Sequence, residues 1–77
     1  MTNREEFMKV VSDHGKKIWE VAAGLGMSPQ ALYNKLGNTS AFTAPELARF
    51  REMFPDVDSE TFDVIFFAEG LNSTANG

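Results

Sequence analysis

Apolar residues recur at intervals of three and four along most of the chain, and the breaks between runs fall on glycine, proline and polar capping residues. Phe7, Val10, Val11 and His14 form one face of a first helix, capped by Thr2 or Asn3 with Glu5 or Glu6 closing a capping box, and ended by Gly15. A second short helix, from about Lys17 to Leu25, carries Ile18, Val21, Ala22 and Leu25 on one face and stops at Gly26. Ser28 before Pro29 is an N-cap followed by a proline at the first helical position, with Met27 and Leu32 as a hydrophobic staple. The third helix therefore runs from Pro29 to about Leu36 and ends in the polar turn Gly37-Asn38-Thr39-Ser40. Thr43 and Glu46 make a capping box for a fourth helix that buries Leu47, Phe50 and Phe54, with Phe42 stapled to Leu47 and Pro55 as terminator. Asp58 caps a fifth, stapled by Val57 and Phe62 and continuing to about Ala68. No apolar alternation extends over four positions, so the expected fold class is all-α with five helices: one domain over residues 1–70 and a disordered tail over 71–77.

Composition narrows what such a domain does. With 77 residues there is room for one core, and a ligand cavity inside it is costly. The absence of cysteine removes disulfides, thiolate zinc sites and thiol redox chemistry. The N-terminus lacks the basic start and apolar run of a signal peptide, and no stretch reaches the ~20 apolar residues of a membrane span. The expectation is a complete, cytoplasmic protein without a membrane partner. The formal charge of −4 is divided unevenly: residues 1–38 carry +1 and residues 39–77 carry −5. Any nucleic-acid surface is then expected in the first half, with the acidic half turned away from phosphates.

The informative unit is 18–37, two short helices around a Gly-Met-Ser turn. Ala22 is small where a following helix crosses, Gly26 admits the positive φ of a sharp turn, and Val21, Leu25, Met27 and Leu32 are apolar where both helices share a core. The run Val21-Ala22-Ala23-Gly24-Leu25-Gly26-Met27-Ser28-Pro29-Gln30-Ala31-Leu32-Tyr33-Asn34-Lys35-Leu36 resembles the helix-turn-helix of the lambda-repressor and Cro-like (XRE-type) family. Phe42-Thr43-Ala44-Pro45-Glu46-Leu47 and Ile65-Phe66-Phe67 are similar to the ending of its small phage and prophage members. The resemblance covers about residues 4 to 68. It departs at Lys35, where the family often has an apolar residue, so that Leu36 is expected to supply the core contact.

The resemblance implies a lambda-repressor-like DNA-binding domain: a sequence-specific, repressor-like transcriptional regulator whose third helix enters the major groove of double-stranded DNA. Carried over residue by residue, it implies that Pro29, Gln30, Tyr33 and Asn34 face bases. Phosphate contacts fall to Lys16, Lys17, Ser28, Lys35, Asn38 and Thr39. So few cations imply weak binding by one copy, hence two copies on a palindromic site. The fifth helix bears on this, because Phe62, Ile65 and Phe66 form one apolar face while Val64, Phe67, Ala68 and Leu71 form another. Either the second face is a homodimer contact, or the first helix wraps over it.

Other residues read more plainly. Trp19, beside the stripe of the second helix, is expected as a partly buried core residue. His14 has no ligand partner for a metal and fits a helix C-terminus. Asp56, Asp58, Glu60 and Asp63 lack EF-hand spacing and read as a solvated capping surface. Without the resemblance, Gln30, Tyr33 and Asn34 are an ordinary exposed face. No serine has the setting of a nucleophile, so no enzyme, cofactor or small-molecule ligand is expected. The rival reading is a protein-interaction module that keeps the fold and grips another regulator, or itself, through its acidic, apolar C-terminal half.

Overall fold

Asn3 opens the first helix by accepting the Glu6 N–H on its side-chain oxygen at 3.2 Å. The reciprocal half of the expected capping box is absent because the Asn3 N–H donates to the Ile65 carbonyl, 2.6 Å away, and so ties the start of the chain to the last helix. In this computed structural model the backbone of residues 2–76 is described, and the side chains of residues 2–67. The elements are α1 (Arg4–Asp13), α2 (Ile18–Leu25), α3 (Pro29–Leu36), α4 (Ala44–Met53) and α5 (Ser59–Asn76), with no strand among the described residues. The expected tail, 71–77, and the candidate contacts Ala68 and Leu71 lie outside the residues whose side chains are described.

The punctuation in the sequence accounts for most boundaries. Gly15 and Gly26 take φ +68° and +80°, the left-handed geometry in which a Cβ is strained. Ser28 Oγ accepts the Ala31 N–H at 3.1 Å, and Asp58 Oδ1 accepts the Thr61 N–H at 2.7 Å. At α4, Thr43 and Glu46 satisfy each other's N–H groups. Ahead of α2 only half of such a box forms, because Lys17 has no acceptor: its N–H donates to Glu20 Oε1 at 2.9 Å. α5 leaves helical geometry at Phe67, with φ −130° and ψ 23°.

The core is wholly apolar and strongly aromatic. Phe7, Val10 and Val11 of α1, Val21, Ala22 and Leu25 of α2, Leu32 and Leu36 of α3, Phe50 of α4 and its C-cap Phe54, and Phe62, Ile65 and Phe66 of α5 are all buried. Phe50 is its hub, with ring centroids 5.5 Å from Phe7, 4.8 Å from Phe54 and 4.9 Å from Phe66, the last edge-on. Edge-on and tilted pairs set positive ring edges against negative faces, so they hold the helices in a particular register as well as burying area. Arg51 closes the solvent side of this cluster, its guanidinium 3.8 Å from the Phe62 ring centre. α1 packs on α5, and α2 packs on both α3 and α4.

Two expectations about the core are corrected. Trp19 is 61% exposed, because it stands on the flank of α2 away from Val21, Ala22 and Leu25. Leu47 is only half-buried, packed at the rim with Phe42. Of the two outcomes open for the second face of α5, α1 does pack on α5 and Val64 is half-buried, whereas Phe67 stays 45% exposed.

Gly24 and Gly26 let α4 approach α2. A Cβ on Gly24 would stand 2.6 Å from Met53 Sδ, and one on Gly26 would meet the Arg49 guanidinium. Arg49 Nη1 also donates to the Leu25 carbonyl at 3.1 Å, satisfying an end group that α2 leaves open. Gly26→Ala combines a strained φ with displacement of that arginine, and is expected to destabilise by about 1–3 kcal/mol, read as a lower urea midpoint at unchanged slope.

His14 caps the end of α1 with both ring nitrogens facing acceptors: Nδ1 lies 2.7 Å from the Val10 carbonyl and Nε2 2.9 Å from both oxygens of Asp56. Only the doubly protonated ring can donate at both positions, so the Asp56 hydrogen bond first, and the Val10 carbonyl second, raise its pKa above the ordinary 6.5. His14 in turn lowers Asp56 below 3.8. The stabilisation from His14 is complete below pH 6.5 and fades as pH rises through its folded-state value. That from Asp56 is present above pH 3.8 and fades as pH falls through its own. Asp56→Asn is expected to lower the melting temperature most between these limits, at mildly acidic pH, and to return the His14 titration, followed by NMR on the chain's single imidazole, toward its ordinary value.

Candidate nucleic-acid interface

α3 is stopped at both ends by its own sequence and divided cleanly between two faces. Leu32 and Leu36 are buried, whereas Pro29, Gln30, Tyr33 and Asn34 are exposed, Tyr33 by 44%. Leu36 is buried next to the half-buried Lys35 and supplies the core contact expected of it. The left-handed backbone at Gly26 turns the chain sharply between α2 and α3, and Ser28 then fixes the start of α3.

The outer face has an ordered chemistry. Gln30 Nε2 donates to Asn34 Oδ1 at 3.1 Å, one helical turn away. The pairing leaves the Gln30 carbonyl oxygen and the Asn34 amide N–H groups free, an acceptor beside donors. Turning both amides over exchanges the roles and leaves the same pair. That set complements the N6 donor and N7 acceptor at the major-groove edge of adenine. Tyr33 supplies an aromatic face and a hydroxyl alongside.

The residues implied as phosphate contacts separate into two groups. Lys16, Lys17, Ser28 and Thr39 are exposed, and among the described residues neither lysine pairs with a carboxylate. Lys35 and Asn38 are instead engaged within the fold. Lys35 Nζ donates to the Ala41 carbonyl at 2.8 Å, pairs with Glu46 at 3.1 Å and lies 5.8 Å from the centre of the Phe42 ring. Burial works against ionising Glu46, yet the Thr43 N–H and Lys35 outweigh it and hold its carboxyl below the ordinary range. Asn38 takes a left-handed φ of +63°, and its side chain clasps the chain start: Oδ1 accepts the Thr2 N–H at 2.8 Å, and Nδ2 donates to the Thr2 carbonyl at 3.4 Å. A turn-forming asparagine is visible in the sequence; its partner 36 residues earlier is not.

A concavity lies at that clasp. It is an open groove of about 510 Å³ lined by Thr2, residues 38–42, Leu47, Phe66 and Phe67. Among the described residues none that line it is charged. Among the described residues no cluster of His, Asp or Glu is placed to hold a metal ion, and no helix is long and apolar enough to cross a membrane. Comparison with protein-family models, with curated proteins and with solved structures finds no match to this chain.

The Asn38 clasp is separable into backbone and side-chain parts. Asn38→Gly keeps the left-handed turn and loses only the Thr2 contacts, while Asn38→Ala loses both. Alanine is expected to cost about 1–2 kcal/mol in urea unfolding, with glycine closer to the parent.

Proposed function

We propose that this chain is a sequence-specific regulator of transcription that binds double-stranded DNA with α3 in the major groove, a small repressor-like protein of the phage type. The observation that carries the reading is the outer face of α3, where Gln30, Tyr33 and Asn34 stand open to solvent on a helix anchored from behind by Leu32 and Leu36. An exposed, rigidly backed helix with paired amides suits base-edge readout, because direct contacts must be held in place before they discriminate.

In this reading Pro29, Gln30, Tyr33 and Asn34 meet base edges. Lys16, Lys17, Ser28 and Thr39 hold phosphates. Lys35 and Asn38 act indirectly, fixing the loop that follows α3. Few free cations leave one copy with weak affinity at physiological salt, so a homodimer on a two-fold site is part of the proposal, with Val64 and Phe67 among its candidate contacts. The second reading, a protein-interaction module, has the open groove beside Phe66 and Phe67 and the acidic half in its favour.

Selection of duplexes from a random pool tests the first reading and yields the operator. Enrichment of an adenine-containing half-site is expected. Gln30→Ala and Asn34→Ala should each relax discrimination at one position by about tenfold. Lys17→Ala should weaken binding to all sequences and reduce the salt slope by about one. No enrichment, with no binding to random duplex at low salt, would overturn the reading in favour of the interaction module.

A further inference from the structure

We infer that Trp19 contacts the DNA backbone, its indole lying against a deoxyribose and its ring N–H donating to the adjacent phosphate. The inference rests on the reading of α3 as the helix that meets bases. Trp19 is the most exposed large apolar side chain of the described residues, 61% open against 44% for Tyr33 and 45% for Phe67. An indole this open, following the exposed Lys16 and Lys17 in the chain, is a candidate contact surface.

The geometry of α2 says which side that surface faces. Its core face is Val21, Ala22 and Leu25, and its second flank is covered by α4 through Met53 at Gly24. At about 100° per residue Trp19 falls roughly 140° from Gly24, on the flank that α4 leaves open and where Ala23 is also exposed. α2 packs directly on α3, and with α4 occupying the Gly24 side, we place a duplex seated on α3 against the open flank that carries Trp19.

The charge around Trp19 selects the occupant. Lys16 and Lys17 precede it and are exposed. Glu20, the nearest carboxylate in sequence, is folded back onto the Lys17 N–H at 2.9 Å. A second copy placed here by two-fold symmetry would set these lysines against their own equivalents, whereas a phosphodiester chain complements them. The indole N–H is a donor only and phosphate oxygens are acceptors only, while the ring face suits the apolar side of a sugar.

Trp19 is the single tryptophan of the chain, so its emission reports on this site alone. The full chain is titrated with a random duplex at low salt, following tryptophan emission and the anisotropy of a labelled duplex together. Emission should change in step with binding. Trp19→Ala, at an exposed position and checked by circular dichroism, should weaken binding about three- to tenfold on every sequence without altering the salt slope. Trp19→Phe should fall between the two. Binding seen by anisotropy with emission unmoved and Trp19→Ala unimpaired overturns the role of Trp19 and leaves that of α3 standing. Absence of any binding overturns both. Emission that shifts with protein concentration alone, without DNA, assigns Trp19 to self-association and overturns the inference.

Discussion

The bend between α2 and α3 is the constraint on which the outer surface of this molecule depends. It requires one residue, Gly26, to hold a left-handed backbone, and α4 lies against the same place, with Arg49 on the Leu25 carbonyl and Met53 over Gly24. A bend alone would act as a hinge. With α4 behind it, the direction of α3 is fixed relative to the core, and the side chains that α3 presents are set by which of its residues are leucine. Leu32 and Leu36 point inward, so Gln30, Tyr33 and Asn34 have no alternative to solvent.

The aromatic core has a related part. Phe50 reaches Phe7 on α1 and both Phe62 and Phe66 on α5, joining helices that are distant in sequence. Among the described residues no buried polar group competes with this packing. The specificity of arrangement that polar groups provide in other cores comes here from the angles between rings and from hydrogen bonds at the helix ends. That division leaves the charged residues to the surface, where they separate into a cationic approach to α2 and an acidic second half.

Local rules reached the fold because its signals are local. Ser28-Pro29, Thr43 with Glu46, and Asp58 each bond a backbone N–H within three residues, and each was legible from a dipeptide or a spacing. The outward face of α3 was legible for the same reason, since two leucines four apart define the inward one. Distant partners were not. Nothing near Asn38 or Lys35 in sequence signals Thr2, Ala41 or Glu46, and both residues were therefore expected to be available to phosphates. Trp19 failed differently: burial statistics for tryptophan favour the interior, but the core of this domain was already filled by phenylalanines from α1, α4 and α5. The His14–Asp56 pair shows the same limit, as its two members stand 42 residues apart.

The stitch from Asn3 to Ile65, together with Phe7 against Phe66, has a bearing on synthesis. α1 is made before α4 and α5, yet the surface it covers is built by residues of both. During elongation Phe7 has no ring partner until Phe42 and Phe50 emerge, and its cover is completed only by Phe66 of α5. Docking of α1 is thus completed only once α5 is available, and until then the nascent chain carries a phenylalanine that is only partly covered.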